Sequence, residues 1–169
     1  MGTDASFEEL AAEYFQAAYG EQWEDCLSYL SSLSGLCDCD YYNGKGNRIN
    51  LQVTANMKQL LQTVQNFHQK YLTPAPDFAS PVEKLFWEHL DYHSEYCILL
   101  AQALLFLSEG NTSEAEAAWK TFTHYICSQE CKFQKAWMFT GLLKFLLIMQ
   151  VFLSLKNFST DLKRRFLNL

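Results

Sequence analysis

Glu88-His89 and His93 are the residues whose types and spacing come nearest to chemistry: two imidazoles four positions apart, with Asp91 and Glu95 close by in sequence. On a helix, side chains four apart share one face, and two imidazoles so placed can chelate a metal ion. The pattern is not the metalloprotease motif, since Glu88 precedes the first histidine and Leu90 follows it. A site inside a helical bundle would need ligands from other helices, and His68 and His124 are the remaining histidines. At a helical rise of about 1.5 Å per residue, His68 and His89 differ in level by about 7 Å, and His93 and His124 by about 6 Å. The Glu-x-x-His pair that di-iron carboxylate bundles repeat on two helices is absent. His89 and His93 are therefore expected to be satisfied core or boundary histidines. The alternative is a bundle metalloprotein using this pair, with His68 or a nearby carboxylate.

The other chemical candidates are thinner. The six cysteines, Cys26, Cys37, Cys39, Cys97, Cys127 and Cys131, read as thiols, because a chain of 169 residues that is 49% hydrophobic has core enough without disulfide staples. Cys37-Asp38-Cys39-Asp40 lacks the two-residue gap of common zinc knuckles and has no second pair at a matching interval. Cys127 and Cys131, four apart, are expected as small buried hydrophobes on one helix face. Gly44-Lys45-Gly46 lacks the longer glycine spacing and the Lys-Ser/Thr ending of a phosphate loop. No Ser or Cys sits at a strand-to-helix elbow. Hence no catalytic residue, metal or cofactor is assigned.

Charge narrows the partners. A net charge of -6 leaves no broad basic face to displace counterions from phosphates, so nucleic acid is not expected. Lys163, Arg164 and Arg165 form the one basic cluster, where they complement the dipole of a terminal helix. The N-terminus has no signal-peptide pattern, and a cytoplasmic location is expected. Met1-Gly2-Thr3-Asp4 leads almost directly into a helix, which suggests the start of an expressed fragment of a larger protein, and a short native leader would look identical.

Positioning these side chains falls to helices whose ends are written in the sequence. Ser80-Pro81-Val82-Glu83 places a capping hydroxyl before a first-turn proline, with a carboxylate three residues on to reach back to the cap amide. Gly110 can take the left-handed conformation that ends the helix, and Asn111 with Glu114 opens the next. Between these ends Leu85, His89, Tyr92, Tyr96, Leu99, Ala103 and Leu107 form a stripe of about seven turns. Upstream, Ser6-Phe7-Glu8-Glu9 caps a first helix to about Tyr19, Gly20 interrupts, and Glu21 to Ser34 resumes. Gly35 to Asn50 loses periodicity and is expected as a loop. A helix over Leu51 to Tyr71 stops at Thr73-Pro74-Ala75-Pro76. Asn111 to about Glu130 should lie antiparallel to the Ser80–Gly110 helix, because the connection is so short.

The last segment, about Phe133 to Phe158, contains the apolar run Gly141 to Leu153. Lys144 and Gln150 break it short of the roughly 20 apolar residues of a membrane span. A helix apolar on most sides is instead buried, or covered by something else. The expected fold is all-α: an antiparallel helical bundle of about four long helices plus an N-terminal pair of short ones, as a single domain over residues 1–169.

Tyr92-His93, Ala103-Leu104, Leu107, Glu109-Gly110-Asn111, Glu114-Ala115-Glu116, Trp119 and Glu130 resemble the C-terminal helical domain of a bacterial glycoside-hydrolase-like family of unknown function. So do Tyr14-Phe15-Gln16-Ala17-Ala18-Tyr19-Gly20 and Tyr29-Leu30. The resemblance runs from the first helix to Phe158, with a later part more aromatic than the family pattern. In such proteins a hexosaminidase-type barrel precedes the all-α tail and carries the chemistry. The resemblance therefore implies a non-catalytic accessory domain that packs on the preceding catalytic-type domain or mediates oligomerisation; the broken apolar run separately leaves no membrane partner expected. Trp23, Tyr41, Tyr42, Trp87 and Trp137 are the aromatics that such a domain could expose to a partner or a sugar. A homo-oligomer formed through the Leu142 to Leu153 face is a third reading.

Overall fold

A computed structural model of the chain describes residues 7–74 and 78–133. Its elements are α1 (Phe7–Tyr19), a 3₁₀ turn (Gly20–Gln22), α2 (Trp23–Leu36), α3 (Cys39–Tyr42), α4 (Leu51–Phe67), a π turn (His68–Leu72), α5 (Pro81–Glu109) and α6 (Thr112–Phe133). The fold is all-α, with no strand among the described residues. None of their helices is long and apolar enough to cross a membrane. The expected helix beyond Phe133, its Gly141 to Leu153 run, Trp137 and the Lys163 to Arg165 cluster lie outside the described residues, as do Ser6 and Ala75-Pro76. The chain divides into two compact units, Met1–Cys37 with Ile49–Gln129, and Asp38–Arg48 with Glu130–Leu169.

In the first unit α5 begins and ends as its sequence dictates. Ser80 Oγ accepts from the Glu83 amide at 3.1 Å, and Pro81 occupies the first turn. The Glu83 carboxylate reaches one residue further back than expected, accepting from the Ala79 amide at 2.9 Å. Gly20 explains the constraint on that carboxylate. Its φ is +59°, and a Cβ there would stand 2.8 Å from Glu83 Oε1, so the bend between α1 and α2 is moulded onto the start of α5. At the other end Gly110, at φ +86°, donates to the Leu107 carbonyl at 3.1 Å while Asn111 donates to Phe106 at 2.9 Å. This paired closure satisfies carbonyls that the helix cannot, and α6 starts at once.

Contacts along α5 set the register of its neighbours. Thr54 and Ser108 hydroxyls meet at 2.8 Å near the start of α4, whereas His68, just past its end, faces Asp91 and Glu95, so α4 and α5 are antiparallel. Tyr125 stacks on Tyr92 with ring centroids 5.7 Å apart, and Phe122 lies 6.5 Å from Tyr96, which makes α6 antiparallel as well. Tyr29 of α2 stacks on Phe67 of α4 at 3.9 Å. Tyr14 and Tyr19 of α1 pack edge-on against Phe86. With neighbours on several sides α5 buries more than one stripe: Trp87, Leu90, Ser94, Leu100, Ala101, Leu104 and Ser108 join Tyr92, Ala103 and Leu107. The stripe read from the sequence fails at its start, where Leu85 remains exposed.

α4 depends on one cap. Asn50 Oδ1 accepts from the Gln52 amide at 3.0 Å and the Val53 amide at 3.2 Å. Asn50→Ala is expected to cost about 1 kcal/mol of stability, read as a lowered urea midpoint with an unchanged slope.

The described part of the second unit corrects the expectation of a structureless loop. Asp38 Oδ1 accepts from the Tyr41 amide at 2.9 Å and so caps the single turn of α3. Tyr41 donates its hydroxyl to the Arg48 carbonyl at 2.7 Å, and Lys45 pairs with Asp40 at 2.8 Å. The aspartates of Cys37-Asp38-Cys39-Asp40 thus serve a helix start and a turn, and both cysteines are exposed.

Candidate functional site

Most of the chemically versatile side chains gather where α4 ends. There the helix widens into a π turn, with Thr73 donating to the His68 carbonyl five residues back at 2.9 Å. Such widened turns re-aim side chains and recur at functional sites. His68 Nε2 points at α5, 3.6 Å from Asp91 Oδ1 and 3.6 Å from Glu95 Oε1. Tyr71 donates its hydroxyl to the Asp25 carboxylate of α2. Lys70 lies 3.8 Å from the same carboxylate and 4.6 Å from the Tyr71 ring centroid. These groups face water in part, so their pairing adds little stability.

From Phe67, the residue before the turn, ring contacts lead inward. Tyr29 stacks on Phe67 and meets His93 edge-on at 6.2 Å. His93 in turn meets Tyr96 edge-on at 5.0 Å. Cys97, one helical turn beyond His93, holds its Sγ 3.6 Å from Nε2 and 3.9 Å from Nδ1. Burial governs the protonation of the whole group, because a charge there loses its hydration. It lowers His93 to about 4 and raises Cys97 to about 12. It also raises the Tyr29 and Tyr96 hydroxyls. At neutral pH this cluster is a neutral imidazole, a thiol and two phenols. Cys97 is thus no activated nucleophile, which would require a depressed thiol. The Tyr29 hydroxyl, in a residue only 4% exposed, has no hydrogen-bond partner among the described residues.

The residues singled out by sequence are brought together only in part. His89 Nδ1 donates to the Leu85 carbonyl at 2.6 Å, whereas His93 turns to Cys97, so the two imidazoles do not converge. His68 joins Asp91 and Glu95 instead of either, and His124 is exposed on α6. Among the described residues no three His, Cys, Asp or Glu side chains are grouped to hold a metal ion. Of the aromatics proposed for contacts, Tyr41, Tyr42 and Trp87 are buried and Trp23 is half-buried, because a large ring gains more from apolar surroundings than from water. Cys127, expected as a buried hydrophobe, is exposed. Cys97 and Tyr29 were missed. The first was recoverable from its spacing of four from His93, but the second approaches only through the packing of α2 on α4.

No protein-family model matches the chain, and neither a curated protein nor a solved structure matches it.

Proposed function

We propose that this chain is a non-catalytic helical accessory domain of a carbohydrate-active protein, packing against a barrel-type catalytic domain of the same protein. The observation that carries the reading is an apolar surface made by α1 and the first turns of α5. Leu10 is 51% exposed, Tyr14 57%, Val82 58% and Leu85 49%, and the two helices adjoin where Tyr14 meets Phe86 at 5.7 Å. Clustered large apolar side chains at this exposure mark a surface that another body covers. The resemblance to the helical tails of glycoside-hydrolase-like proteins supports the barrel as that body. The buried titratable groups, held neutral, suit a scaffold better than proton transfer at neutral pH.

The test searches the reading frame of this chain for a barrel domain, whose absence would overturn the reading, and pairs the two, each produced separately, where it is present. Association is expected, and Leu10→Asp with Leu85→Asp should weaken it by at least 10-fold, since a charge would enter an apolar contact. Turnover of aryl glycosides by this chain alone, or association indifferent to both substitutions, would overturn the reading.

A further inference from the structure

The first 44 residues contain nine acidic side chains and no lysine or arginine. Among the helices that carry and flank the apolar surface the imbalance is wider: α1, the turn after it, α2 and α5 hold eleven acidic side chains against one cation, Lys84. The net charge of the chain is only -6, so its compensating cations lie elsewhere. Acidic groups border the apolar patch itself. Glu13 stands three residues after Leu10 and next to Tyr14 on α1, and it is exposed. Glu21, also exposed, follows Gly20, whose backbone abuts the Glu83 carboxylate beside Val82 at the start of α5. Glu24 opens α2 and is exposed as well. No lysine or arginine among the described residues pairs with Glu13, Glu21 or Glu24. Like charges gathered on one side repel one another, a cost that a partner of opposite sign removes.

We infer that the α1 and α5 surface docks onto a face that is apolar at its centre and rimmed by lysine and arginine, a partner chemistry that rests on the accessory-domain reading and assigns the basic rim to the barrel. A second copy seated on the same patch by a two-fold axis would bring two acidic rims together. An anionic membrane surface or a nucleic acid would be repelled by the same carboxylates. The two kinds of side chain divide the work. Leu10, Tyr14, Val82 and Leu85 hold the complex by excluding water, whereas the carboxylates draw the partner in, because rim charges act on the association rate more than on dissociation. At physiological salt a charge is felt over about 8 Å, so the groups beside the patch matter most at contact.

The experiment measures association and dissociation rates between the full chain and the barrel of its reading frame, at low and at high sodium chloride. The association rate is expected to fall at least about 10-fold at high salt, with dissociation changed by less than about 3-fold. At low salt Glu13→Lys with Glu21→Lys should slow association about 10-fold. Glu114→Lys with Glu116→Lys makes the same change of charge at the start of α6, about 40 Å away along α5, and should shift the rate by no more than about 2-fold. Helical circular dichroism checks that each variant is folded. Association that ignores salt and the Glu13 and Glu21 reversals, yet weakens with Leu10→Asp and Leu85→Asp, overturns the basic rim and leaves the docking reading standing. An equal loss from the α6 pair also overturns a rim localised at the patch. A frame without a barrel, or no association at either salt, overturns both readings. Self-association of the chain alone that Leu10→Asp abolishes gives the face to a second copy and overturns the basic partner.

Discussion

Phe122→Ala is expected to lower the unfolding free energy by about 4 kcal/mol, the upper part of the range for deleting a buried aromatic. Phe122 is fully buried, with Trp119 at 5.1 Å and Tyr96 at 6.5 Å between ring centroids, so the void would open between α5 and α6. Rings of this size cannot be replaced by local collapse, because Tyr92 stacked on Tyr125 props the same two helices apart. For a chain of this length the melting temperature should fall by roughly 10 °C. Leu85→Asp, on a half-exposed side chain, should change stability by no more than about 0.5 kcal/mol. Thermal unfolding of the two variants side by side checks the pair. Equal losses would mean that the buried side of α6 or the exposed side of α5 has been assigned wrongly.

Stability should also fall steeply with acid, and His93 is the reason. Its folded value is about 4 against 6.5 in the unfolded chain, so between those values the unfolded state binds the extra proton. The sign is therefore a loss of stability as pH falls from 6.5 toward 4, with the full benefit present above 6.5. Each pH unit between the two values is worth about 1.4 kcal/mol, which makes the whole loss on the order of 3 kcal/mol. His93→Gln, which cannot take the proton, should flatten the slope across that window while leaving the carboxylate-driven loss below it. Denaturant midpoints at about pH 7, 5.5 and 4.5 for both proteins would decide the matter. An unchanged slope in His93→Gln would assign the acid sensitivity to other groups.

The helices were legible because their signals are local. Ser80-Pro81 and Gly110 start and stop α5 through backbone rules that need no partner, and Asn50 starts α4 in the same way. Apolar spacing placed Val53, Met57, Leu60, Val64 and Phe67 on one buried side of α4. Less legible was α3, four residues held by a single aspartate cap and too short to show a period. The histidines show the limit more sharply. Spacing put His89 and His93 on one face, yet a carbonyl one turn back took the first and a thiol one turn ahead took the second. At equal spacing, the nearest available partner decided between them.

What the residues determined alone is therefore the all-α class, the main helix boundaries and the antiparallel order, since caps, glycines and periodicity act within a few positions of the chain. Which side chains share a location was decided by packing: Tyr29 comes to His93 from α2, and His68 to Asp91 and Glu95 across α4 and α5. Those meetings depend on the relative rotation and level of separate helices. Ring stacking and hydroxyl pairs between distant residues set these, and no short window of sequence contains both partners.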